Sequence, residues 1–230
     1  MTKRKAFTLV ELIVMVVVLA VLAVLLVVHV RRARWRAAGT LSMKCMRQIG
    51  LAMLQYAGDH DDAFMSLVDA NGNEVPAVAA DGTISKEPAR SAFAILLKRG
   101  YITATIVFVH PMTDDHVPEK SPGNYRNEPL QKLLLAEDEC SFGWDPTKKH
   151  SADATCAIIA DKPSKDVSMA NEGTARNNSD NCRKVGQCVF YNDGHTRWQT
   201  TPESDAGDDP DIYTGGPGYE HSNTDAKIVR

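Results

Sequence analysis

From Leu12 to Val28 every residue is Val, Leu, Ile, Ala or Met. An uncharged run of that length predicts a helix able to cross most of a hydrocarbon layer about 30 Å thick. Lys3, Arg4 and Lys5 lead into it through Ala6 and Phe7, and a single carboxylate, Glu11, stands at its edge. In lipid such an acid costs at least about 2 kcal/mol unless an opposite charge meets it. The pattern therefore suggests a helix that is not meant to remain alone in the bilayer. From Arg31 to about Gly58 the pattern becomes one-sided: Leu41, Cys45, Ile49, Ala52, Met53 and Tyr56 recur at helical intervals and predict a single docking face. No proline interrupts residues 7–58. One continuous helix is expected, roughly 75–80 Å long at about 1.5 Å per residue, with Gly39 and Gly50 as soft points.

Beyond residue 58 the helical pattern ends. Residues 59–90 are polar and turn-rich. Val78–Ile84, centred on Asp81-Gly82, suits a tight hairpin. Asp69-Ala70-Asn71-Gly72-Asn73 fails as an EF-hand loop, because Glu74 stands where Gly is needed and Ala80 where the bidentate Glu belongs. Ala89–Lys98 predicts a short helix burying Phe93, Ile95, Leu96 and Leu97, and His110 is read as ending a buried strand. Residues 112–155 are irregular and broken by prolines. Near the end, Val189-Phe190-Tyr191 reads as a strand, Asn192-Asp193-Gly194 as its turn and Thr196–Trp198 as the return. Short apolar strands separated by loops imply an antiparallel sheet and an α+β head over residues 59–201. Residues 202–230 read as an acidic, Gly- and Pro-rich tail.

Charge sharpens this division. The 230-residue chain carries a net charge of −3, but residues 1–58 hold nine Lys or Arg against one acid, about +8, which leaves about −11 for the rest. A basic stem with an acidic head fits a membrane-proximal helix and an exported domain, and it argues against a nucleic-acid partner. Five cysteines, Cys45, Cys140, Cys156, Cys182 and Cys188, allow at most two disulfides in an oxidising compartment. Cys182 and Cys188 are spaced to close a small loop, and no Cys-x-x-Cys pair points to zinc. Arg31, Arg32, Arg34 and Arg36 follow the apolar run directly, so charge counting alone leaves its orientation undecided.

The segment Lys3–Leu12 resembles the leader of type IV pilins and type II secretion pseudopilins, with Ala6 where Gly is usual. The resemblance implies a leader over residues 1–6, cleavage by a prepilin peptidase between Ala6 and Phe7, and N-methylation of Phe7. It also implies that Glu11 neutralises the amino terminus of a neighbouring subunit, and that the amino end is cytoplasmic. Residues 7–30 would then be the transmembrane and filament-core half of the stem, and residues 31–58 its amphipathic half. The plain alternatives are an uncleaved signal anchor or a secretory signal. The latter is disfavoured because Val27-Val28-His29-Val30-Arg31 offers no small-x-small site.

A second resemblance covers the head in patches. Cys45-Met46-Arg47-Gln48-Ile49-Gly50-Leu51-Ala52 followed by Tyr56-Ala57-Gly58-Asp59 is similar to the stem end of pseudopilin-like proteins abundant in Planctomycetes, Verrucomicrobia and Lentisphaerae. Ser141–Asp145, Thr155–Lys162, Asp211–Thr214 and above all Gly186–Trp198 resemble segments of the same proteins, whose head is named for a late His…Asp-Gly motif. Here that motif falls on Gly186, Gln187, Asp193, Gly194 and His195. His110 stands where those proteins have Cys, and the upstream His they carry near Asn177 is missing, which weakens any role that needs a histidine pair. Asp193 and His195 are accordingly read as a turn former and a strand polar residue.

Together these readings imply a pilin-like α+β protein: a structural subunit of a pilus-like or pseudopilus filament, not an enzyme. Its partners would be the prepilin peptidase, other subunits, an inner-membrane assembly platform and the bilayer. It would sit in the bacterial inner membrane with a periplasmic head before assembly. The alternative is an anchored envelope domain that binds a ligand such as calcium or a glycan and never polymerises. No cofactor is implied beyond that calcium, for which Asp205, Asp208, Asp209 and Asp211 are the oxygen-rich candidates.

Overall fold

The computed structural model describes residues 9–68, 71, 73–77, 88–163, 178–182, 185–201, 212–213, 226 and 228. The leader with Ala6 and Phe7, the Val78–Ile84 hairpin and the four tail aspartates lie outside the described residues. Chain contacts divide the protein into two units, Met1–Ala38 and Gly39–Arg230.

One helix, α1 (Leu9–Asp59), runs through the boundary between them. In the first unit its section Leu9–Val30 has a mean hydropathy of 3.3 and is long and apolar enough to cross a membrane. Valine dominates this section although β-branched side chains are poor helix formers in water. In hydrocarbon the helix is nevertheless the structure that satisfies every backbone donor within one segment.

In the second unit the final turns of α1 are one-sided. Cys45, Met46, Ile49, Ala52, Met53, Tyr56 and Ala57 are buried. Leu41, expected on that face, is 49% exposed, and Ser42 is buried in its stead. A polar cluster lies opposite this turn, so the helix presents a small hydroxyl there and turns the leucine outward. Gly50 is a contact point and not a soft one: a Cβ built on it would lie 2.3 Å from the Phe190 ring. Only glycine lets the helix backbone settle on that ring. The helix stops at a reversal where Asp61 and Asp62 adopt positive φ and the Asp62 amide donates to the Ala57 carbonyl at 2.9 Å.

A two-stranded ribbon, β1 (Leu67–Val68) and β2 (Glu74–Val75), precedes α2 (Pro88–Arg99). As expected, α2 buries Phe93, Ile95, Leu96 and Leu97. A 3₁₀ turn, Thr105–Phe108, follows and buries Val107 and Phe108. His110 therefore sits in a loop after a turn, not at a strand end. Past α3 (Pro122–Asn127) come the four strands of an antiparallel sheet in sequential order: β3 (Phe142–Trp144), β4 (Ala157–Asp161), β5 (Gln187–Tyr191) and β6 (Thr196–Gln199).

β4 and β5 are buried on both faces. In β5, Cys188 and Phe190 join the main core with α1 and α2, while Val189 and Tyr191 point to a second, smaller core. In β4 a register shift between Ala157 and Ile159 sends both Ile158 and Ile159 to the main core. The second core is completed by Ile212, Tyr213, Ala226 and Ile228, with the Ile228 amide donating to the Ile212 carbonyl at 2.8 Å. Those parts of the acidic, Gly- and Pro-rich tail are packed against the sheet. An apolar second sheet face needs a cover, and these four residues supply part of it.

Candidate functional site

The end of β4 meets three other segments in a buried polar cluster. Asp161, the last residue of the strand, is fully buried. Its Oδ2 accepts the Cys188 backbone N–H at 2.7 Å, and its Oδ1 accepts Asn181 Nδ2 at 3.0 Å. That asparagine nitrogen also donates to the Ser141 carbonyl at 2.6 Å, tying β3 to the 3₁₀ turn Asp180–Cys182. From α1, Ser42 turns its buried hydroxyl toward the same carboxylate and toward the Cys188 thiol. Among the described residues no Lys or Arg forms a salt bridge with Asp161. Burial pushes its carboxyl above the usual carboxylate range, against the pull of His110 and of the hydrogen bonds from Cys188 and Asn181.

His110 faces this acid from the loop after the Thr105–Phe108 turn. The Met112 amide donates to its Nδ1 at 3.1 Å, so the neutral ring carries its proton on Nε2. Nε2 lies 3.3 Å from Cys182 Sγ. Burial pushes the imidazolium down, offset in part by Asp161 and Asp115. Burial likewise pushes the thiols of Cys182 and Cys188 well up, and Asp161 adds to both shifts. One donor atom each from His110, Asp161 and Cys182 lies within 4.8 Å of the others. The three residues are 51 and 21 positions apart in the chain, so no local spacing could have announced them.

Beside this cluster is an ion pair nearer the surface. Lys162 Nζ reaches both oxygens of Asp115 at 2.6 and 2.5 Å, and the Ser141 hydroxyl donates to the same carboxylate. Thr113 Oγ1 donates to the His110 carbonyl at 2.9 Å and touches Ser141 Oγ, which links the pair to the histidine loop.

The residues of the late sequence motif are not brought together. Gly186 precedes β5 and Gln187 begins it, whereas Asp193, Gly194 and His195 form the turn at its far end, about 16 Å away at roughly 3.3 Å per residue. Gly186 is required by packing: a Cβ there would lie 2.6 Å from Trp198 Cζ2 and 2.4 Å from the Gln199 carbonyl oxygen. Gln187 is buried and donates through Nε2 to the Thr201 carbonyl at 2.7 Å. In the turn, Gly194 takes φ +88°. Asp193 Oδ1 accepts the His195 amide at 3.0 Å and pairs with its ring, which stacks on Tyr191 at 4.4 Å between centroids. The turn and return strand thus stand as the sequence indicates, with the Asp and His closing the hairpin.

All five cysteines are buried free thiols. The possible small loop between Cys182 and Cys188 is not closed, because Cys182 faces His110 and Cys188 points toward the Gly39 carbonyl. Glu11 lies in the first turn of α1. No protein-family model, curated protein or solved structure matches this chain.

Proposed function

We propose that this chain is a structural subunit of a type IV pilus-like or type II pseudopilus-like filament. The proposal further holds that a prepilin peptidase processes it between Ala6 and Phe7 and methylates Phe7. In this reading the subunit waits in the inner membrane with a cytoplasmic amino end and a periplasmic head, and an assembly platform draws it out.

One observation carries the reading: a single helix, α1, combines an exposed apolar section headed by Glu11 with a one-sided section buried in the head core. An apolar surface of that extent needs lipid or like surfaces around it. An acid in its first turn, close to a new cationic amino terminus, provides a charge for a neighbouring copy to meet. A plain anchor has use for the apolar section alone. The four-stranded antiparallel sheet with its helices is compatible with an α+β head on such a stem.

The test is intact-protein and N-terminal peptide mass spectrometry on membrane and sheared fractions of the native host. A mature chain beginning at Phe7 with one added methyl group is expected in both. A chain still beginning at Met1 in every fraction overturns the filament reading in favour of a permanent anchor with a ligand-binding head. Glu11→Ala should remain stable in the membrane and disappear from the sheared fraction. Assembly at the parental level would rule out charge pairing by Glu11.

A further inference from the structure

We propose that His110, Asp161 and Cys182 form a structural binding site for a divalent transition-metal ion of the zinc class, inside the head. The inference does not depend on filament assembly, and the tail aspartates play no part in it.

Three observations support it. The donors converge from separate parts of the fold, the loop after Thr105–Phe108, the end of β4 and the turn Asp180–Cys182, yet lie within 4.8 Å of one another. An imidazole nitrogen, a carboxylate oxygen and a sulfur are together the donor set of a borderline-soft cation; a calcium or magnesium site would be built of oxygen alone. All three residues are fully or almost fully buried, as expected of a structural site and not of one that exchanges substrate. Cys188 contributes its backbone amide to Asp161, while its sulfur turns toward the Gly39 carbonyl.

Charge explains why an ion belongs there. A buried carboxylate with no salt-bridge partner among the described residues is an expensive group to maintain. A divalent ion bound by one thiolate, one carboxylate and a neutral imidazole leaves the cluster with no net charge. Binding displaces the Cys182 thiol proton to solvent. The proton on His110 Nε2 must also be replaced by the metal, with Nδ1 becoming the N–H. The Met112 amide then loses its acceptor. Binding is therefore coupled to a small rearrangement of the loop 110–113, at a cost of about fivefold in affinity for one hydrogen bond. The surrounding scaffold already orients the acid, through Asn181 and the Cys188 amide.

The experiment uses the full chain in detergent micelles, stripped of metal by a chelator and titrated with Co(II). One equivalent should bind with a thiolate-to-cobalt charge-transfer absorption, and Zn(II) should displace it and raise the Tm. Cys182→Ser should abolish the absorption and weaken Zn(II) binding by more than the roughly 10–100-fold typical of outer-sphere changes, with His110→Gln weakening it comparably. Cys156→Ser, a buried thiol at the other end of β4, should leave both intact. Near-UV circular dichroism establishes that each variant is folded. A folded parent protein with no thiolate absorption at stoichiometric Co(II), or an absorption that survives Cys182→Ser, overturns the site.

Discussion

Two stretches of the same helix face different demands. Between Leu12 and Val28 the side chains are apolar all the way round and exposed, so the helix has no preferred face. Between Cys45 and Ala57 one face is buried and the other carries Arg47, Gln48 and Gln55 to solvent. The first stretch is specified by composition and depends only on an apolar surrounding. The second is specified by shape, down to the absence of a Cβ at Gly50 beneath Phe190. Substitutions should therefore separate the two: bulk and cavity changes should matter in the second stretch and its partners, and charge should matter in the first.

The largest effect is expected from Phe190→Ala. It opens a cavity over Gly50 in the main core and should lower head stability by about 3–5 kcal/mol, read by urea unfolding, without altering membrane association. An unchanged midpoint would mean that the ring is not what seats the helix. Next comes Leu19→Arg, which places a charge in the middle of the apolar section. Membrane insertion should become less favourable by roughly 2.5–3.5 kcal/mol, measured by flotation or an insertion assay, while the head unfolds as in the parent. A destabilised head in that variant would break the distinction between the two stretches.

The smallest effect concerns the hairpin turn. Burial alone would raise the Asp193 carboxyl, but the hydrogen bonds from the His195 amide and ring, with the charge of that ring, hold it below the usual carboxylate range. Its contribution is thus present above the unfolded value of about 3.9 and is lost as the pH falls through the lower folded value. Because the Asp193 side chain is 43% exposed, that contribution should be under about 0.5 kcal/mol. Comparing Asp193→Asn with the parent should show a small stability deficit at pH 6 that closes below pH 3. A constant deficit across that range would assign the effect to turn geometry and not to charge.

Much of the fold could be read from local pattern. The unbroken helix, the buried face from Cys45 to Tyr56, the α2 core residues and the β5–β6 hairpin each depend on neighbours a few positions apart, where periodicity and turn chemistry act directly. Leu41 and His110 escaped the same reasoning for a shared cause. Helical spacing nominated Leu41, but a polar cluster opposite that turn selects Ser42. His110 reads as ending a buried strand, but the segment before it curls into a 3₁₀ turn that buries Val107 and Phe108.

What the sequence by itself determined is the division of the chain: an apolar helix with one acid at its head, a one-sided continuation, and an antiparallel α+β domain after it. These follow from hydrophobic period and from glycine, aspartate and proline placement, which are local quantities. Only the tertiary structure decided that His110, Asp161 and Cys182 meet, that five cysteines remain apart as thiols, and that pieces of an acidic tail cover the second face of the sheet. Those outcomes depend on which distant segments share a buried volume, and contact between residues 51 and 21 positions apart leaves no trace in local pattern.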